Sequence, residues 1–187
     1  VDENNVKCKA RWIVLGHRDP DAQQVERFAP TPATLSMMIF LQLLVIFQWE
    51  LTISDARTAF AQSDARVRPQ GRLFAEFPPG AIPGFSGGLI EFLTAVYGLV
   101  DTPLIWRKTV KRVLTTVLSY KEAMFDPCMF YLHLPNEKGH TVLVGIVLVD
   151  VDDFLDGGNE EHQARMEILR EHIQLGKQRK KEGDFLG

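Results

Sequence analysis

Hydrophobic and polar residues follow one another along this chain in blocks that predict both strands and helices. Four short apolar runs predict strands, at 10–16, 49–56, 129–134 and 141–151. The stretch 35–47 is apolar nearly all round, which predicts a buried helix. Two amphipathic helices are expected at about 104–118 and about 160–174, where apolar residues recur with helical spacing.

The connections between these blocks indicate how they are arranged. The last two apolar runs are separated by PNEKGH, which predicts a hairpin loop. Residues 61–88 are rich in proline and glycine, and they predict an irregular connection around one short strand at 72–77. Together the elements predict an α+β fold with an antiparallel sheet and helices packed on one face.

Length, charge and cysteine content limit the classes of protein to which this chain can belong. The 187 residues allow one sizeable domain or two small lobes that share a core, and 21 basic against 24 acidic residues give a net charge of -3. Any nucleic-acid site must therefore be local. Two cysteines are too few for a disulfide framework or a four-ligand zinc site. We find no signal peptide, and the run 35–47 is shorter than the roughly 20 residues that a membrane span needs. We expect an intracellular protein without membrane contact.

The stretch LVDVDDFLDGG, at 148–158, places four aspartates within seven residues after a buried strand. Like charges that close repel one another, so the cluster is unfavourable unless a cation compensates it. A divalent metal is one interpretation. The ordinary alternative is a strand-ending turn, for which the Asp-Gly-Gly of 156–158 is a signal of its own.

Seven segments are similar, in their order and spacing, to reverse transcriptases of copia-type retrotransposons: CKARWIVLG, ERFAPTPATL, ISDARTAF, FAEFPPG, VYGLVDTPLIW, FDPCMFYL and VDVDDFLDGG. The resemblance covers nearly the whole chain. It implies a right-hand polymerase fold with a fingers portion at 1–48 and mainly palm at 49–187, including a fingers-like insertion at about 61–95. It also implies that the thumb and ribonuclease H portions are absent from this sequence.

The resemblance implies an RNA-directed DNA polymerase whose catalytic carboxylates are Asp55, Asp152 and Asp153. These residues would hold Mg²⁺, because nucleotidyl transfer develops charge on the attacking 3′ oxygen and on the leaving pyrophosphate. Two ions about 3.5–4 Å apart stabilise both charges. The implied partners are an RNA or DNA template with its primer, and deoxynucleoside triphosphates.

Further positions take roles from the same resemblance. Phe60 would lie under the incoming sugar and exclude a 2′-hydroxyl, although core packing is its ordinary alternative. Lys9 and Arg11 would neutralise the triphosphate, whereas such a pair is more often plain surface charge. Tyr97 and Gly98 belong to the family's Tyr-Gly-Leu segment and are expected to contact nucleic acid.

Three positions depart from the family pattern. Asp150 stands where an aromatic residue usually helps to hold the primer, Asp101 replaces a glutamine that supports template and nucleotide, and Leu104 replaces a basic residue. Negative charge beside phosphates weakens binding. A second interpretation therefore stays open, in which the chain is a non-catalytic descendant that serves as a structural or interaction subunit with protein partners.

Overall fold

The computed structural model describes residues 12–65, 68, 71–76, 80, 84 and 87–180. Its three α-helices are α1 (Thr34–Phe47), α2 (Thr102–Arg112) and α3 (Glu160–His172). Its eight strands are β1 (Thr52–Asp55), β2 (Phe74–Glu76), β3 (Leu89–Glu91), β4 (Lys121–Glu122), β5 (Met129–Pro135), β6 (Thr141–Asp150), β7 (Asp153–Gly158) and β8 (Arg179–Lys180). Short 3₁₀ turns occupy Gly16–Arg18 and Ala59–Gln62, and a π-helical turn, Val113–Val117, continues α2.

Six of the strands form one antiparallel sheet in the order β4-β5-β6-β7-β1-β8. Strands β5 and β6 form the predicted hairpin, and β6 turns directly into β7. Strand β1 is inserted beside β7, although about a hundred residues separate them. Strands β2 and β3 pair as a separate small sheet. The predicted α+β class with an antiparallel sheet is confirmed.

The two faces of the large sheet carry separate cores. Helices α2 and α3 cover one face, where Trp106, Leu114 and Phe154 are almost fully buried. Helix α1 covers the other face through Phe40 and Leu44. The prediction that helices pack on one face is therefore wrong for α1. Successive side chains of a strand point to opposite faces of the sheet. Strands β5, β6 and β7 carry apolar residues on both faces, so each face must be covered by a helix.

The outer surface of α1 is exposed, so the prediction of a buried helix holds only for one side of it. Leu35, Met38 and Val45 are 65%, 63% and 73% exposed. A helix that is apolar all round has more apolar surface than contact with one sheet can cover. No helix in the described part of the chain is long and apolar enough to cross a bilayer.

The first predicted strand, at 10–16, is not a strand where it is described. Residues 12–15 are irregular, and the N–H group of Val14 donates to the carbonyl of Tyr97 at 2.8 Å. A β-carbon on Gly16 would lie 1.9 Å from the carbonyl oxygen of Gly98, so this close approach of two backbones requires glycine. Tertiary contact with the 97–98 segment thus replaces sheet pairing.

The alternative interpretation of Asp-Gly-Gly at 156–158 as a strand-ending turn is wrong, because β7 runs through these residues. Asp156 is buried and its carboxylate lies 3.0 Å from Nε2 of His162, whose Nδ1 lies 2.7 Å from the hydroxyl of Tyr120. Burial and the charge of Asp156 raise the pKa of Tyr120, so its hydroxyl group stays protonated beside His162. β-carbons on Gly145 or Gly158 would collide with His162, so these glycines make room for its ring.

Candidate functional site

The three aspartates singled out in the sequence come from two chain segments that meet in the large sheet. Strand β1 ends at Asp55 and β7 begins at Asp153, and the two residues are directly paired across the antiparallel ladder. The carbonyl of Asp152 accepts a hydrogen bond of 2.6 Å from the N–H group of Ala56. The fold therefore brings the Asp55 backbone next to the Asp152–Asp153 pair.

These carboxylates share one face of the sheet. Side chains alternate along a strand, so Asp55 lies on the same face as Ile53, and Asp153 on the same face as Leu155. Both apolar residues belong to the core under α1. Asp150, the directly paired neighbour of Asp153 in the β6–β7 hairpin, points to this face as well. The carboxylates and α1 occupy different parts of the same surface.

The acidic cluster is electrostatically unfavourable as it stands. Burial raises the pKa of Asp153, and the charges of Asp152, Asp55 and Asp150 raise it further, whereas the charge of Arg179 lowers it. Burial and the charge of Asp152 also raise the pKa of Asp150. The Oδ1 atom of Asp150 is buried and has no hydrogen-bond partner among the described residues. Among the described residues, negative charge thus predominates at this site, which suits the binding of a cation.

The turn between β6 and β7 is strained. Val151 has a φ of 51°, in the left-handed region that a β-branched residue strongly disfavours. The indole N–H of Trp106, which is 1% exposed, donates to the carbonyl of Val151 at 2.7 Å. A fully buried side chain of α2 therefore holds the turn that carries Asp152. Sequence reasoning missed this role of Trp106, because nothing in the pattern of α2 marks its indole as a partner of a distant carbonyl.

Phe60 and Tyr97 lie together. Their ring centroids are 4.7 Å apart with an interplanar angle of 58°, and Phe60 is partly buried against the α2/α3 core. Gly98 has a φ of 98°, and a β-carbon there would lie 2.0 Å from the carbonyl oxygen of Val14. The structure thus shows packing roles for Phe60 and Gly98, and their contacts with nucleotide or nucleic acid stay predictions.

Asp101, by contrast, faces the interior. It is 5% exposed, and its Oδ1 atom lies 3.4 Å from the guanidinium of Arg68. Arg68 also binds Asp19 through two contacts of 2.6 Å and Asp21 through one of 3.3 Å. Leu104, one turn into α2, is 8% exposed. Two of the three departures from the family pattern therefore lie in the protein interior, and the contact of Asp101 with a nucleotide stays a prediction.

Four basic residues of α2 form ion pairs near the surface. Arg107 and Lys111 both bind Glu122, Lys108 binds Glu26, and Arg112 binds Asp64. These pairs account for the basic residues of the helix without a nucleic-acid ligand. The predicted triphosphate contacts, Lys9 and Arg11, lie outside the described residues.

Within the described residues, no group of three or more His, Cys, Asp or Glu side chains forms an assembled metal site. Comparison of the chain with family models, with curated proteins and with solved structures finds no match.

Proposed function

We propose that this chain is the fingers and palm portion of an RNA-directed DNA polymerase of the copia-type family, which transfers deoxynucleotides to a primer 3′ end. The observation that carries the proposal is the direct pairing of Asp55 with Asp153 beside the turn that holds Asp152. Pairing of β1 with β7 thus brings together three carboxylates that the family resemblance predicts to act as one site, although about a hundred residues separate Asp55 from the other two. Asp55 and Asp152 are exposed, so a ligand could reach them.

The chemistry of these residues fits Mg²⁺. This ion takes oxygen ligands, binds few protein carboxylates, and keeps waters and substrate phosphates as its remaining ligands. Asp55, Asp152 and Asp153 would hold it. Burial raises the pKa of Asp153, and the neighbouring negative charges, which a cation would neutralise, raise it further. When bound, magnesium supplies positive charge for the attacking 3′ oxygen and for the leaving pyrophosphate.

The other residues would position the substrates. Phe60, held by Tyr97, would lie under the sugar of a deoxynucleoside triphosphate and exclude a 2′-hydroxyl. Tyr97 and Gly98 would contact the template with its primer, and Lys9 and Arg11 would neutralise the triphosphate. Trp106 would keep the turn at Val151 in the conformation that presents Asp152.

Primer extension on an RNA template in the presence of Mg²⁺ tests this proposal. We expect the wild-type chain to extend the primer with deoxynucleotides and Asp55→Asn to abolish extension, because it removes a charged ligand. Asp64→Asn is the matched control, since Asp64 pairs with Arg112 on the surface. Extension that persists in Asp55→Asn would contradict the proposal.

A non-catalytic interaction subunit is the second candidate. The exposed apolar side of α1 favours it, because large exposed apolar patches are typical of interfaces. So does a groove of about 550 Å³ beside Leu104, which is lined by Phe28, itself 77% exposed. This candidate predicts no extension by the wild-type chain, and loss of a protein partner when Met38 or Val45 is replaced by Glu.

A further inference from the structure

Gly176 lies directly against the side chain of Asp55. A β-carbon built on Gly176 would be 2.4 Å from Oδ1, 2.8 Å from Cγ and 2.9 Å from Oδ2 of Asp55. These three nearest atoms all belong to the Asp55 carboxylate. The carboxylate therefore occupies the space that any side chain at position 176 would need.

The segment that contains Gly176 is fastened along β1 and its continuation. The N–H group of Gly176 donates to the carbonyl of Asp55 at 2.6 Å, and Leu175 forms an antiparallel bridge with Ala56. The N–H group of Arg57 donates to the carbonyl of Gln174 at 2.9 Å. Because the backbones are joined on both sides of this point, the segment cannot move away to admit a side chain.

The neighbouring side chains fix the segment further. Gln62 accepts from the N–H group of Gln174 at 2.7 Å, and its amide lies 3.2 Å from the carbonyl of the same residue. Ile173, just after α3, is 1% exposed in the main core. The surface on which the Asp55 carboxylate rests is thus built from a well-anchored backbone.

From these contacts we infer that Gly176 is a positioning residue, whose missing side chain sets where the Asp55 carboxylate stands beside Asp153 and thereby sets the affinity of the site for a divalent cation. The inference rests on the proposed function. Gly176 has no positive φ that would require glycine, so its backbone accepts alanine, and the nearest obstacle to a β-carbon is the Asp55 carboxylate. Asp55 is a short side chain with an exposed end, so a substitution at 176 displaces the carboxylate and leaves the fold intact.

The test compares Gly176→Ala with Gly157→Ala. Gly157 in β7 also lacks a positive φ, and its β-carbon would lie 2.2 Å from Cδ2 of Leu44 and 3.2 Å from the carbonyl oxygen of Glu50, so its nearest neighbours do not include the candidate metal ligands. Mn²⁺ binding to the free protein is measured by electron paramagnetic resonance, with Asp55→Asn as reference, and thermal unfolding is measured in parallel. The Mn²⁺ concentration for half-maximal primer extension is the second readout.

We expect Gly176→Ala to weaken Mn²⁺ binding by about 10–100-fold, as changes of residues that support metal ligands do. Its melting temperature should equal or exceed that of wild type, because alanine restricts the unfolded chain. Gly157→Ala should bind Mn²⁺ as wild type does. If Asp55→Asn loses binding and Gly176→Ala keeps it, the positioning role is overturned while the proposed function stands. If neither wild type nor Asp55→Asn binds Mn²⁺, the positioning role and the proposed function are both overturned.

Discussion

At the scale of single residues, the aspartates of this chain divide into compensated and uncompensated ones. Asp156 has His162, and Asp101 shares Arg68 with two further carboxylates. Burial and three other aspartates raise the pKa of Asp153, and among the described residues Arg179 opposes them. Uncompensated charge lowers stability, so a folded protein retains it where a ligand cation offsets it. This contrast separates the candidate site from the structural carboxylates.

Replacing Asp152 by Asn should abolish primer extension and leave the free energy of unfolding at neutral pH equal or higher, by up to about 1 kcal/mol. The pKa of Asp153 is raised in the folded state, so the folded state binds protons more tightly than the unfolded one. The contribution of Asp153 to stability is therefore greatest below the ordinary aspartate pKa and falls as the pH rises through its raised pKa. Removing the charge of Asp152 lessens this fall.

Urea unfolding at neutral pH and below about pH 3.9, the ordinary aspartate pKa, measures the effect. The difference between Asp152→Asn and wild type should vanish at the acidic pH, where the carboxylates are protonated. Glu137→Gln, in the exposed loop between β5 and β6, is the control and should show no such pattern. A variant that is less stable than wild type at neutral pH would show that Asp152 makes a stabilising contact.

Phe60 gives a second test at this scale. Phe60→Val shortens the side chain while Tyr97 remains, so we expect more ribonucleotide incorporation relative to deoxyribonucleotide, because the steric barrier at the 2′ position is reduced. Competition between the two nucleotide types in primer extension measures the ratio. Phe125→Val, at a residue that is 63% exposed, is the control. An unchanged ratio would assign Phe60 to core packing alone.

At the scale of elements, the β6–β7 hairpin combines a strained turn with a specific support. The turn sets Val151 in the left-handed region, and Trp106 of α2 holds its carbonyl. Such strain costs of order 1–3 kcal/mol and persists only where the surroundings impose it. Here the pairing of β7 with both β6 and β1 imposes it.

Alanine in a strand usually gives a more stable protein than glycine, and at position 151 we expect the opposite order. Both remove the packing of the valine side chain, but only glycine relieves the left-handed strain, so Val151→Gly should be more stable than Val151→Ala by about 1 kcal/mol. At Val149 in β6, alanine should be the more stable of the two by about 0.5–1 kcal/mol. Denaturant unfolding of the four variants measures both differences. Alanine more stable than glycine at both positions would show that the turn carries no strain.

The sequence predicted most of the larger secondary-structure elements, but it did not predict strand β7. Helices α1, α2 and α3 and the hairpin of β5 and β6 follow from apolar spacing, which is local information. Strand β7 was missed because Asp156 and the two glycines after it resemble a turn, and only His162, beyond the strand, explains them. The proximity of Asp55 to Asp152 and Asp153 was expected only from the family resemblance, since pairing between distant segments leaves no local pattern.

At the scale of the whole molecule, Arg68 joins segments that are far apart in sequence. It binds Asp19 and Asp21 near the start of the described chain and Asp101 at the beginning of α2. All four residues are largely buried. Burial lowers the pKa of Arg68, but the hydrogen bonds and charges of its partners outweigh burial and raise it. The segment that carries Asp19 and Asp21 is thus held to the start of α2 by a buried ion-pair cluster. Nothing in the sequence pattern indicated this cluster.

Arg68→Met should destabilise the fold by about 3–5 kcal/mol, because it leaves buried carboxylates without their cation. The loss should become smaller at acidic pH, where these carboxylates take up protons. Arg112→Met is the matched control, since its pair with Asp64 is about half exposed and should contribute less than about 1 kcal/mol. Denaturant unfolding of both variants at two pH values measures the difference, and equal small losses would show that the Arg68 cluster does not hold the segments together.

Substitution of Asp150 tests whether the sheet face that carries the aspartates binds nucleic acid. In a polymerase the primer would pass over this face, so Asp150→Tyr should remove repulsion and tighten binding of an RNA/DNA hybrid about fivefold, the equivalent of ~1 kcal/mol. Asp101→Gln should give no gain, because Asp101 already faces Arg68 inside the chain, and it should lower stability instead. The slope of affinity against salt should stay unchanged in Asp150→Tyr, since no phosphate contact is added. Fluorescence anisotropy of a labelled hybrid across a salt series measures these quantities. If neither wild type nor Asp150→Tyr binds the hybrid at low salt, the face does not meet nucleic acid, and the interaction subunit becomes the better account of the chain.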